Sequence, residues 1–524
     1  MASSKESGDR HGPPRKILML TNCELGQATV FLGTCDALLK ADPGGVQIHV
    51  ASFPKLESQI SRVSDNARHH SPDAKPIVFH AIQGLSSEQG AKKIMDRVGI
   101  PHYANNMPVS FSKPLSFSTT TRAISDTSFV FVPYDGPDMV EVVSSVMHII
   151  NQVAADLVVV DALMTASLTA CFHLGIKFCC LSPNSVKGFA VPSQSGLARW
   201  RFPVLFSGFR FPVPLHLIPV NFYYLVHCAI SWLSDKGRRQ TAQYVKTHLD
   251  ADLRSPLDLL RNPPADLKIF VGTHPELDFP LRIPQHIIPC GPISRPTGPA
   301  DSNDPLLMLW LERGPTVYVN MGSLWESRRE QAEDFARSLR CVLERIDVLR
   351  GDSKLQVLWK LKRDREDGSA WEVEDTLAPY IESDRVKIVS WIKAEPASIL
   401  GSGHVVCAVH HCGANSYYEA VRCGIPQVAL PQWTDCYDFA ELVRLHGVGR
   451  IGNDSTKPNW TVAELSREML AVLHGDTATD MRRNAKQLAD LCAQRGSGAE
   501  TAAAMILREC QVAETLQQYF TEKS

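Results

Sequence analysis

The chain has 524 residues, 44% hydrophobic and 21% charged, with 54 Lys plus Arg against 56 Asp plus Glu and a formal charge of -2. That length exceeds what one hydrophobic core supports, so two large domains are expected, and the ordinary globular composition excludes extensive disorder. A nearly neutral chain has no bulk drive toward polyanions, which excludes a dedicated DNA or RNA binder, and no nucleic-acid partner is expected.

The opening residues, MASSKESGDRHGPPRK, are polar and lack the apolar stretch of a secretory signal, so residues 1–15 read as a disordered tail. The 14 cysteines form no C-x-x-C pair, and Cys171, Cys179, Cys180 and Cys407 sit in apolar runs. Free thiols in a reducing, cytoplasmic setting fit this better than a zinc or disulfide framework.

From residue 16 the chain alternates. Short apolar runs at 16–21, 46–52, 77–80, 156–162 and 177–182 predict strands. Helical stretches at 27–41, from Ser86 or Ser87, and at 139–155 separate them. Uninterrupted β-branched strands between helices predict a parallel sheet covered on both faces. The segment HLIPVNFYYLVHCAISWL (216–233) is about long enough to span a bilayer, but His216, Pro219, Asn221 and His227 are costly in hydrocarbon. It predicts a buried or pocket-lining helix and no transmembrane segment, with peripheral membrane contact as the alternative.

GPISRPTGPADSND (291–304) has turn residues at most positions and reads as an interdomain linker. The alternation then restarts, with strands predicted at 315–323, 355–361, 386–391, 404–409 and 426–431, and helix from Ala463 to about Phe520. The expected organisation is an acceptor-side α/β domain at 16–290, the linker at 291–304 and a second α/β domain at 305–500. A C-terminal helix at 501–524 is expected to pack back on the first domain. Two doubly wound halves of this kind enclose a cleft.

The most informative stretch is HVVCAVHHCGANSYYEAVRCGIPQVALPQWTDCYDFA (404–440). A strand runs into His410-His411-Cys412-Gly413, and a helix is predicted from Asn415 or Ser416 to Cys423, stopped by Gly424 and Pro426. Two readings share this geometry. Ser416 and Glu419 match a capping box, which needs no ligand. Alternatively the open N–H groups of the helix, beside a glycine, receive a phosphate, with His411 adding a charge-assisted bond.

The spacing of His411, Gly413, Asn415, Ser416, Glu419, Ala420, Gly424, Pro426, Pro431 and Asp435 resembles the donor signature of the family-1 UDP-dependent glycosyltransferases, most closely its fungal-type branch. The resemblance implies the GT-B architecture of two Rossmann-like domains and a UDP-sugar co-substrate, most often UDP-glucose, with no further cofactor and no metal. It also implies inverting transfer to a lipophilic small molecule such as a secondary metabolite, sterol or phenol. His411 and Gly413 would lie against the pyrophosphate, Asn415 and Ser416 would hold it, and Glu419 would take the ribose hydroxyls. Trp391 resembles the tryptophan that stacks on uracil, Gly322-Ser323 the turn that approaches the diphosphate, and Asp435 the carboxylate on the sugar. Cys412 and Cys436 depart from the pattern, standing where glycine and a sugar-contacting glutamine are usual.

A second departure concerns mechanism. The family's base histidine follows a glycine after the first strand; here the pair is Gly26-Gln27, and an amide cannot accept a proton usefully. Three solutions stay open: Asp161, matching the aspartate that usually orients that histidine; Glu24 in the same turn; or no strong base, with an acceptor already acidic. A UDP-sugar epimerase or hydrolase on the same fold, or a non-catalytic binder, are the competing functions. Asp250-x-Asp252 lies in a charged stretch far from the phosphate motif and is not expected to hold a metal. His80, His102 and His173 read as structural.

Overall fold

The computed structural model describes residues 13–103, 107–261, 263–296, 304–351, 354–364 and 371–522. Two all-parallel sheets organise the chain. The first contains β1 (Arg15–Leu20), β2 (Val46–Ser52), β3 (Val78–Ala81), β4 (Leu157–Asp161), β5 (Phe178–Ser182), β6 (Ile269–Val271) and β7 (Ile287–Pro289), in the order β3-β2-β1-β4-β5-β6-β7. The second contains β8 (Thr316–Asn320), β9 (Gln356–Lys360), β10 (Val386–Val389), β11 (Val405–His410), β12 (Gln427–Ala429) and β13 (Gly449–Ile451), in the order β10-β9-β8-β11-β12-β13. Both are doubly wound, the arrangement that continuous apolar strands between helices dictate.

Three strands, β6, β7 and β13, have no counterpart in the sequence reading. Each is three residues long, too short for a periodic signal, and is held by pairing to a neighbour already in the sheet.

The helix Leu25–Ala41 is buried from Ala28 to Leu39 with no exposed face along that stretch. It lies between the first sheet and the C-terminal helix Gly498–Glu522. Ala502, Ala503, Ile506 and Cys510 join the core of the first half, and Lys177 pairs with Glu509 at 3.1 Å. The last segment of the chain therefore ties the second half to the first.

The segment expected to be a buried or pocket-lining helix forms a helix, Ile218–Ser234, but only Asn221 and Tyr224 are buried. Asn221 anchors its inner side by donating to the Phe202 carbonyl at 2.8 Å and accepting from the Val204 N–H at 2.9 Å. The outer face stays mostly exposed, with Phe222, Leu225, Val226, Ile230 and Leu233 among the exposed hydrophobics. Asp250 and Asp252 both reach Lys246, at 3.0 and 3.3 Å, on an exposed surface. The proposed tail and linker fall partly outside the described residues (1–12 and 297–303).

Candidate active site

In each sheet the strand order reverses between the first-formed strand and its later neighbour, so the connections there leave in opposite directions and open a crevice at the carboxyl ends. In the first sheet this point lies between β1 and β4. It carries the turn 21–27 and Asp161. In the second it lies between β8 and β11. It carries Gly322-Ser323 and the loop 411–416. The two crevices meet: the Asn415 side-chain amide donates to the carbonyls of Leu25 at 3.2 Å and Gly26 at 3.4 Å.

The helix after β11 begins at Ala414, with Gly413 as its N-cap and no side-chain capping bond. The Ser416–Glu419 capping box expected from sequence is not formed, because both residues lie inside the helix. Its first-turn N–H groups are left uncapped by side chains. Cys412 adopts a left-handed φ of 62°, the conformation glycine takes without penalty, which accounts for the glycine of the family pattern. Its N–H donates to His410 Nδ1 at 3.1 Å. That makes Nδ1 an acceptor and leaves His410 Nε2 to donate to Gln427 at 2.9 Å, so His410 is a structural residue.

His411 lies between two glycines. A Cβ on Gly413 would fall 2.5 Å from its Nε2, and one on Gly322 would fall 2.6 Å from its Cε1. Trp433 closes another side, with ring centroids 5.5 Å apart. Burial pushes the imidazole down to about 3, helped by His410 and Lys360, and its Nδ1 is buried without a partner. Burial therefore favours the neutral imidazole, and a bond from it to an ionised phosphate would be charge-assisted from the phosphate side alone.

Glu419 and Ser416 line a hollow beneath the ends of β8 and β11 with Tyr318, Asn320 and His410. Burial raises the Glu419 carboxyl to about 7, against the pull of Arg295 and reinforced by Glu395. Arg295, from the linker, is bound by Glu395 at 2.5 Å. Trp391 is 62% exposed, and the Lys360 ammonium sits over its ring, 4.8 Å from the centroid. Lys360 ends β9 in register with Asn320. Burial, with Lys362, lowers its amine to about 8, and it is felt electrostatically by both Glu419 and His411. Lys360 thus lies against Trp391 and near enough to Glu419 and His411 to act on both. Sequence reasoning missed it, although the last residue of a parallel strand is where that topology places ligand contacts.

Asp435 accepts from Thr434 at 2.8 Å and, across the domain boundary, from Asn184 at 3.4 Å. Burial raises its carboxyl. Nearby, Lys187 of the first half meets Asp438 of the second at 2.5 Å, both buried. Cys436, proposed as a donor contact, is 1% exposed and packs with Tyr417 and Phe439. It faces the core and is corrected out of the site. Ser323 is exposed beside Gly322, whose φ of 89° requires glycine.

On the acceptor side Asp161 is fully buried and bound by the N–H of Leu163 at 2.9 Å and by the backbone and side-chain amides of Asn22 at 3.5 and 3.4 Å. Burial lifts it to about 7, and Glu24 adds to the rise. It fixes the turn rather than facing the cleft. Glu24, also raised by burial, accepts from the Glu88 N–H at 3.4 Å. Gln27 Oε1 is buried with no hydrogen-bond partner. A narrow pocket opens between the halves, lined by Tyr103, Met107 and Phe111 from one side and Trp325, Arg328 and Trp433 from the other. Through Trp433 it adjoins His411. Among the described residues no three His, Cys, Asp or Glu side chains come together as metal ligands.

Two doubly wound halves facing each other across such a cleft define a two-domain nucleotide-sugar transferase fold. Comparison with known proteins agrees. The family described as UDP-glucoronosyl and UDP-glucosyl transferase matches residues 311–476. Glycosyltransferase sdnJ of Sordaria araneosa is 30% identical over 462 residues, covering 84% of each chain. Crocetin glucosyltransferase of Gardenia jasminoides is 32% identical over 35% of this chain and 37% of its own. A solved UDP-glucosyltransferase from Polygonum tinctorium superposes with a TM-score of 0.57 at 15% identity, over 95% of this chain and 99% of that one. The chain belongs to the UDP-glycosyltransferase family, and it is an enzyme that moves a sugar from a UDP-sugar donor to a small molecule.

Proposed function

We propose that the chain transfers a hexose, glucose in the first instance, from UDP to an acidic hydroxyl or carboxyl of a lipophilic small molecule, with inversion and without a metal. The observation that carries this reading is the grouping of Gly322, Gly413, His411 and the uncapped helix end at 414, with Lys360 over Trp391 and acting on both Glu419 and His411, beside the turn that Asn415 bonds at Leu25 and Gly26. Trp391 takes the base on its exposed face once the Lys360 side chain moves aside, and Glu419 takes the ribose diol. The helix N–H groups, neutral His411 and Ser323 bond the pyrophosphate, and Lys360 supplies the positive charge. Asp435 holds the sugar hydroxyls. These donors are set in place where negative charge grows on the leaving UDP.

Attack from the turn side, opposite that leaving group, inverts the anomeric centre. Gln27 Oε1 accepts the hydrogen bond of the incoming hydroxyl, and the aromatic cavity around Phe111 and Trp433 holds the acceptor body. Relatives named for phloretin 4'-O-glucosylation and for crocetin support acceptors of this lipophilic type.

The test is incubation of purified protein with UDP-glucose and a panel of phenols and carboxylic acids. β-Configured glycosides are expected, read from the anomeric coupling constant. α-Products, free glucose alone, or an epimerised sugar nucleotide would each overturn the reading. A Trp391→Ala variant is expected to bind UDP about tenfold more weakly by calorimetry, the scale of one lost base–aromatic stack. Unchanged affinity would place the base elsewhere.

A further inference from the structure

The outer face of the Ile218–Ser234 helix is largely exposed and consistently apolar. Leu215, Phe222, Val226, Ile230 and Leu233 follow one another at helical spacing and are 85%, 47%, 37%, 57% and 58% exposed. They form a stripe about 27 Å long. No charged residue lies between Leu215 and Ser234. The stripe continues onto the neighbouring turn 196–201, where Trp200 meets Phe222 edge-on at 5.1 Å and Leu197 stands 82% exposed. On its other flank Phe117 packs on Tyr223 at 4.8 Å.

The rim of this patch has one sign of charge. Arg199 and Arg201 border it on one end and Lys236 and Arg239 on the other, all exposed. None of the four is ion-paired to a described residue. No Asp or Glu occurs anywhere between Asp161 and Asp235, and the Asp235 carboxylate accepts from the Arg238 N–H at 3.1 Å as a helix cap. The remaining cation on the adjoining Phe117–Ser125 helix, Arg122, is held by Asp126. A wide apolar stripe with aromatic edges and a cationic border matches the interfacial region of an anionic bilayer. A spanning mode is excluded by the inner side, where Asn221 and Tyr224 are built into the protein.

We propose that this face docks the enzyme on an anionic phospholipid surface, with the helix lying in the plane of the membrane. Its inner residue Tyr224 belongs to the same cluster as Phe111, against which Trp433 packs. Docking would therefore set the mouth of the acceptor cavity close to lipid, a consequence that rests on the acceptor reading above, whereas docking itself does not.

The test is flotation of the full chain with phosphatidylcholine vesicles, with and without phosphatidylserine, at low and high salt. Binding to the anionic vesicles, weakened by salt, is expected. An Ile230→Glu/Leu233→Glu variant, altered only at exposed positions, is expected to keep its melting temperature and lose at least tenfold in partitioning. Arg199→Glu/Lys236→Glu is expected to lose the preference for phosphatidylserine. No vesicle binding, or binding that the glutamate variant retains, overturns the proposal. So does a dimer in light scattering that the same variant dissolves, since the face would then join two copies. Each readout is independent of sugar transfer, so failure here leaves the catalytic reading untouched, and failure of transfer leaves docking testable.

Discussion

Gly413→Ala is expected to raise the Kd for UDP about a hundredfold while leaving the secondary structure intact. The backbone at Gly413 is ordinary, with φ of -66°, so alanine costs nothing in conformation. The cost is steric. The new methyl would stand 2.5 Å from His411 Nε2, and the ring has nowhere to go. Gly322 also lies against the Nε2–Cε1 edge of the ring and Trp433 is 5.5 Å away, centroid to centroid. Overpacking of this kind costs about 1–3 kcal/mol, a fall in melting temperature of several degrees for a domain of this size. The larger effect is expected on the donor, because in the proposed site the displaced imidazole would take the space of the pyrophosphate. A double-mutant cycle isolates the cause. In a His411→Ala background the alanine at 413 is expected to cost almost nothing in melting temperature, since its collision partner is gone. An equal cost in both backgrounds would overturn the argument. Gly322→Ala is expected to be worse in every background, because its φ of 89° adds strain that removing the imidazole does not relieve.

That geometry was legible in the sequence only in part. The fixed spacing from His411 to Asp435 identified the loop, and the alternation of apolar runs with helices gave both sheets, because burial on two faces leaves no other pattern for a parallel strand. The charge state of His411 was not legible. It depends on the enclosure supplied by Gly322, Trp433 and Lys360, which come from three separate segments. The capping box was a local inference of the right type, defeated when the helix began three residues earlier than the Ser-x-x-Glu pattern requires. Cys436 was misplaced for a similar reason: Asp435 faces Asn184, and the next residue on a helix starting there turns into the core.

Lys360 and the Ile218–Ser234 helix failed in opposite directions. Lys360 reads as the polar end of a buried strand, and only register with Asn320 and proximity to Trp391 bring it to the candidate site. The helix reads as core because it is apolar on nearly every side. Composition cannot say that one face is left without a neighbour. A one-dimensional pattern reports which residues avoid water, and the fold decides which of them succeed.

The rate of transfer is expected to depend on the acidity of the acceptor rather than on a fixed enzyme group. Gln27 has replaced the imidazole that would remove a proton, and the two carboxylates near it are already committed. Asp161 is sealed by Asn22 and Leu163, and Glu24 accepts from the Glu88 N–H. A general base is worth ~10²–10⁴-fold; without one, that factor must come from the substrate. Carboxylic acids, ionised above about pH 4, are then expected to react at a nearly constant rate from pH 5 to 8 (roughly, by their unperturbed values), while phenols, with pKa about 10, accelerate as pH rises through that range. If Asp161 were the base instead, hydroxyl acceptors of every acidity would share one rising limb centred at about 7, where burial places that carboxyl, and Asp161→Asn would abolish their turnover while sparing the carboxylic acids. The shared limb would overturn the proposal. Asp161→Asn has an independent signature as a positioning change. The folded protein keeps that proton up to about 7 while the unfolded chain releases it near 4 (about the model-peptide value), so the wild type loses stability as pH rises through this window. The asparagine variant lacks that loss, and its melting temperature relative to wild type is expected to be higher at pH 8 than at pH 5. Gln27→His completes the test: restoring a base should speed aliphatic alcohols by about a hundredfold and carboxylic acids hardly at all.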